Sequence, residues 1–144
     1  MKRLHIHLAV ENLKQSIDFY TTLFASSPTV QHDDYAKWML DDPRVNFAIS
    51  NRSKKIGLDH LGIQAEDDSE LLSIKQNLEA TQVPIKTQEQ TSCCYSRSNK
   101  HWVTDPQGIA WESFHSLNKI PTFNEDDSLE TKKTDDKKSS SCCR

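Results

Sequence analysis

The sequence predicts an α+β protein built from two βαβββ modules in tandem. Three observations predict it. A strand, a capped amphipathic helix and a group of short strands occur in that order twice; a histidine stands at the corresponding place on the opening strand of each copy; and turn residues separate the short strands. At 144 residues the prior is one domain.

Residues 2–10 alternate, with Leu4, Ile6, Leu8 and Val10 on one face and His5, His7 and Ala9 on the other. Glu11-Asn12 follows with Asn12 in the N-cap position. Leu13, Ile17, Tyr20, Leu23 and Phe24 then recur at helical spacing, so a helix is expected over 13–24. Short strands are expected over 28–32, 35–40 and 45–50, the last two joined by the Asp41-Asp42-Pro43-Arg44 turn. The order then restarts. Residues 56–65 form a strand containing His60, Asp67-Asp68-Ser69 supplies caps, and Leu71, Leu72, Ile74 and Leu78 mark a helix ending before Pro84. The remaining strands are expected at 84–86, 92–97, 101–104 and 109–114.

The last of these follows a turn with a mechanism. In Asp105-Pro106-Gln107-Gly108 the proline fixes φ and the glycine tolerates a positive φ, so a strand starts near Ile109. Alternation then puts Ala110, Glu112 and Phe114 on one face. A carboxylate between apolar neighbours is costly unless paired, hydrogen-bonded or bound to a metal, although an edge strand would let it reach water. The site is expected to be single. His5 and His60 correspond between the copies, Glu112 lies on the last strand of the second, and the matching strand of the first, 45–50, has no acid. Two neutral imidazoles and a carboxylate with open positions suit non-haem Fe(II) and leave room for oxygen and substrate.

Composition narrows the partners. With 35% hydrophobic residues, 27% charged and a net charge of −3, the chain can bury a modest core and lacks the broad basic field of a nucleic-acid binder. No run approaches the ~18 apolar residues of a membrane span, and the start has no apolar signal core, so a cytoplasmic protein is expected. The four cysteines form two adjacent pairs, Cys93-Cys94 and Cys142-Cys143. Neighbouring cysteines make a strained disulfide, and the spacing is not that of a zinc finger. Cys93 and Cys94 read either as a small buried side chain with its neighbour or as thiols open to a soft ligand.

The modules, with His5 ahead of VENLKQSIDFY (10–20), His60 in GLDHLGI (57–63) and Glu112 after DPQG, resemble the vicinal oxygen chelate superfamily of glyoxalases, extradiol dioxygenases and bleomycin or fosfomycin resistance proteins. DYAKWMLDDPRVNFAIS (34–50), DHLGIQ (59–64) and TSCCYSRSNKHWVTDPQGIAWESFH (91–115) more narrowly resemble its C-As lyase branch, Fe(II)-dependent dioxygenases acting on trivalent organoarsenicals, which also includes proteins labelled cadmium-induced. The likeness covers about residues 1–120, with modules near 1–52 and 56–116. It implies a curved mixed sheet around a metal site, with His5, His60 and Glu112 as both metal ligands and catalytic residues. It also implies Cys93 and Cys94 as arsenic-binding thiols, Fe(II) as cofactor, O2 as co-substrate, and a monomer or homodimer. Chemistry agrees with the pair: two thiolates replace the two exchangeable oxygens of a trivalent organoarsenical while carbon stays on arsenic.

Lesser candidates surround this set. His7 shares a face with His5 and is the reserve ligand, while His32 and His115 are not expected to bind metal. Tyr95, Arg97, Lys100 and His101 read first as exposed polar loop residues, and Trp38, Trp102 and Trp111 as core or pocket wall. Residues 121–144 carry acids and bases with almost no apolar side chain after Phe123, so a disordered polar tail is expected. Its terminal Cys142-Cys143 reads either as inert or as a tethered arsenic scavenger. Two other functions fit less closely: a non-catalytic metalloid- or cadmium-binding protein, and a glyoxalase-type metalloenzyme on the same fold.

Overall fold

In the computed structural model, which describes residues 1–93 and 95–119, the chain folds as β1 (Arg3–Ala9), α1 (Leu13–Phe24), β2 (Val30–His32), β3 (Tyr35–Asp41), β4 (Arg44–Ser50), β5 (Gly57–Ala65), α2 (Asp68–Glu79), β6 (Lys86–Cys93), β7 (Ser96–Thr104) and β8 (Ala110–Lys119). The expectations for Cys94, the tail from 121 and Cys142-Cys143 lie outside the described residues. One curved open sheet of mixed direction runs β2-β3-β4-β1-β5-β8-β7-β6. β1 pairs parallel with β4 and β5 with β8, and the seam between the halves is antiparallel β1–β5.

Both helices begin at side-chain caps. Asn12 accepts from the Gln15 amide at 3.0 Å, and Asp67 accepts from the Glu70 amide at 2.8 Å. α1 lays Leu13, Ile17, Tyr20 and Phe24 against Trp38 and Phe47, the Tyr20 and Phe47 rings being 4.6 Å apart. Burying such side chains contributes about 1.5–3 kcal/mol each. It ends at Ala25, in the left-handed region at φ 48. α2 places Leu71, Ile74 and Leu78 against Ile63 and Ala65. The helices thus cover the sheet face that carries Ile6 and Ile63, and the opposite face is left for the histidines.

The strands that follow α2 differ from the expectation in their bounds. Residues 84–86 do not form a strand of their own, and 92–97 is not one strand but a hairpin corner: β6 closes with Cys93 opposite Ser96. Tyr95, at φ 61, turns the chain there. β7 then runs unbroken through Lys100 and His101, and β8 continues past Phe114 to Lys119.

Candidate metal centre

Register brings the candidate ligands onto one face. Residues directly opposite in a ladder point the same way. His5 opposes Gly62, His7 opposes His60, and Gly62 opposes Glu112. Trp102 opposes Glu112, Lys100 opposes Phe114, and Cys93 opposes Ser96 on the same face. Gly62 is required at this crossing, because a Cβ there would lie 2.3 Å from the Glu112 carbonyl oxygen. The seam also explains why the other half offers no equivalent carboxylate. Exchanging the halves maps His5 onto His60 and His7 onto Gly62, so the position answering Glu112 is Ala48, opposite His7.

His5, His60 and Glu112 meet at their tips. His5 Nε2 lies 3.1 Å from His60 Nε2, and Glu112 Oε2 lies 3.4 Å from His60 Nε2 and 3.7 Å from His5 Nε2. All three are buried. A cation bonded at the usual 2.0–2.2 Å holds its donors about 3.0–3.4 Å apart at ordinary angles, so these residues fit a divalent ion with little movement. The ring tautomers agree: His5 Nδ1 donates to the Asn46 carbonyl at 3.0 Å and His60 Nδ1 donates to Asp59 Oδ2 at 2.8 Å, leaving both Nε2 atoms for the centre. The reserve ligand His7 turns elsewhere, with Nε2 3.0 Å from Ser50 Oγ. His7, Asp59 and His60 form a second candidate group on the far side of the His60 ring.

Charge is shared tightly. Lys100 Nζ donates to Glu112 Oε1 at 2.6 Å, with both side chains 5% exposed. Burial alone would raise the Glu112 carboxyl, but the Lys100 ammonium and His60 hold it far below the usual carboxylate range. Burial, reinforced by His60, pushes His5 down to about 3. For His60, burial is outweighed by hydrogen bonds to Asp59 and Glu112, which raise it to about 9.

The three residues, Cys93 and Lys100 line a cavity of about 40 Å³. The Cys93 side chain is buried and packs with Tyr35 and Ala48. A larger cavity of about 590 Å³ adjoins Asp59 and Trp102, whose ring lies 5.1 Å from His60.

Lys100 and His101 correct the expectation of exposed loop residues, since both are buried in β7. Tyr95 is likewise anchored: its hydroxyl donates to Asp34 Oδ1 at 2.7 Å and its ring stacks on His32 at 3.5 Å. His115 faces Asp68 at the surface. Asp59 was not singled out, because strict alternation turns it away from His60. Lys100 was legible in principle, since it shares period-2 parity with Trp102 on a strand opposite β8.

With this geometry in hand, the chain belongs to the Glyoxalase/Bleomycin resistance protein/Dioxygenase superfamily, whose family model matches residues 2–113. It is 38% identical over 119 residues to the trivalent organoarsenical cleaving enzyme of Bacillus sp. (strain MD1), covering 81% of this chain and 74% of that one. It is 33% identical over 145 residues to the probable trivalent organoarsenical cleaving enzyme of Bacillus subtilis (strain 168), covering 99% and 91%. An extradiol ring-cleaving dioxygenase from B. fuscum shares the fold, with a TM-score of 0.62 at 12% identity over 82% of this chain and 33% of that one. Among the described residues no helix is long and apolar enough to cross a membrane.

Proposed function

We propose that this chain is an Fe(II)-dependent dioxygenase that cleaves the carbon-arsenic bond of trivalent organoarsenicals and releases arsenite. The observation that carries the reading is the shared cavity, in which His5, His60 and Glu112 face the same space as Cys93. The donor set suits non-haem Fe(II), and among the described residues the group has three members, which leaves positions for other ligands. The named activity of the two Bacillus relatives supports the substrate class.

A bound Fe(II) ion supplies one-electron chemistry and activates dioxygen. The chain's own residues hold the substrate beside it. Each thiol of Cys93 and Cys94 that engages CH3As(OH)2 forms an As–S bond, breaks an As–O bond and releases water, so with both engaged the methyl carbon is the remaining substituent. Lys100 keeps Glu112 Oε1, so the carboxylate presents Oε2 to the centre. Phe114 and Trp102, within ring contact of His5 and His60, keep water from the imidazoles. The overall change balances as CH3As(OH)2 + O2 giving As(OH)3 and HCHO: arsenic stays trivalent, carbon is oxidised and dioxygen is reduced. Fixing the arsenical on the protein makes the encounter local, an effect worth up to ~7–11 kcal/mol in ideal cases.

Anaerobic loading with Fe(II), addition of methylarsenite, exposure to air and arsenic speciation test the reading. Arsenite appearing with matched oxygen uptake is the expected result. Stoichiometric binding of methylarsenite with no oxygen uptake and no arsenite would replace the enzyme by a metalloid-binding protein.

A further inference from the structure

We propose that Asp59 is a positioning residue of the metal centre, acting through the outer nitrogen of His60. The proposal rests on the reading of His5, His60 and Glu112 as metal ligands. It starts from an irregularity in β5. His7 opposes His60 while its neighbour Leu8 opposes Leu58, so Asp59 is an extra residue with no counterpart on β1. A β-bulge of this kind turns its side chain out of the normal alternation. Asp59 therefore joins its own sequence neighbour on one face instead of pointing to the helix side.

The bulge brings a carboxylate, 7% exposed, to 2.8 Å from His60 Nδ1. A neutral imidazole carries its proton on one nitrogen, and an acceptor at Nδ1 leaves the Nε2 lone pair for the cation. That nitrogen is the one facing His5 and Glu112, at 3.1 and 3.4 Å. The two histidines are thus fixed by the same device in two strengths. Asn46 offers His5 a neutral carbonyl, and Asp59 offers His60 a full charge, which makes the ring a stronger donor and locks its plane. His7 Nδ1, 3.6 Å from the same Asp59 oxygen, has no hydrogen-bond partner, so the carboxylate is not committed to it.

Zinc, a diamagnetic divalent probe, tests this on the full chain with Asp59→Asn, Asp59→Ala and His60→Ala. Asp59→Asn keeps the shape and an acceptor while dropping the charge, which guards against a variant that merely fails to fold. Zn(II) affinity is expected to fall about 10–100-fold in Asp59→Ala and less in Asp59→Asn. In the zinc-loaded protein a downfield, exchange-protected Nδ1 proton, assigned by its loss in His60→Ala, is expected to move in Asp59→Asn and vanish in Asp59→Ala. Unchanged affinity and an unchanged proton in both Asp59 variants would overturn the assignment while leaving the metal site standing. Two zinc ions per chain, one lost with Asp59, would overturn it by making Asp59 a ligand with His7. Undiminished zinc binding in His60→Ala would remove the metal site itself, and the role of Asp59 with it.

Discussion

A lysine ammonium, two imidazoles and a carboxylate share one buried space, and burial together with the neighbouring charges sets the protonation of the imidazoles and the carboxylate. His60 is raised from its ordinary 6.5 to about 9, so its imidazolium contributes stability that is fully present below 6.5 and is lost as pH rises through about 9. His5, held near 3, stays neutral over the same range. A cation must displace the His60 proton. Apparent metal affinity is therefore expected to rise about tenfold per pH unit between 6 and 8, with about one proton released per ion, read by calorimetry in buffers of different ionisation heat. Lys100 is the counterpart. Lys100→Met leaves Glu112 buried with His60 as its remaining facing cation and is expected to cost about 3 kcal/mol in denaturant melts of the metal-free protein. Adding a divalent metal should restore most of that, because the ion takes over the neutralising charge.

At the scale of elements, the centre depends on how closely β5 and β8 approach. Gly62 permits the contact, and a methyl group there meets backbone that cannot swing aside. Gly62→Ala is expected to destabilise the fold by about 1–3 kcal/mol and to weaken metal binding by displacing Glu112 from His60, as measured by melting and by Zn(II) titration. The β6–β7 hairpin depends on a different contact. Tyr95 crosses to Asp34 and His32 in the other half, so the corner beside Cys93 is held by the first module as well as the second.

Across the whole molecule, the repeat was legible because each helix announces itself with a cap, Asn12 and Asp67, seven residues after its histidine. The alternation of 109–114 grouped Glu112 with Ala110 and Phe114 for the same local reason, but that this face is buried follows from β8 lying between β5 and β7 instead of at an edge. What stayed hidden depends on partners far along the chain. The bulge at Asp59 is a property of the β1–β5 register, and the burial of Lys100 follows from its place on β7 beside β8. The hairpin corner was misread because 92–97 contains no glycine or proline, and Tyr95 takes the left-handed conformation instead.

That seam carries a consequence for assembly. Among the described residues β1–β5 is the one strand pairing that joins the halves, and the connection over 51–56 is largely exposed. One half brings an imidazole and the other brings an imidazole with the acid, so neither half has a complete donor set. Nicked within 51–56 and separated, the two pieces should each bind divalent metal weakly; mixed, they should reunite through the β1–β5 ladder and do so more tightly when the ion is supplied, read as metal-strengthened co-elution. A cation held by His5, His60 and Glu112 would thus be owned jointly, a clasp added to the β1–β5 ladder and the Tyr95–Asp34 contact that already join the two βαβββ halves.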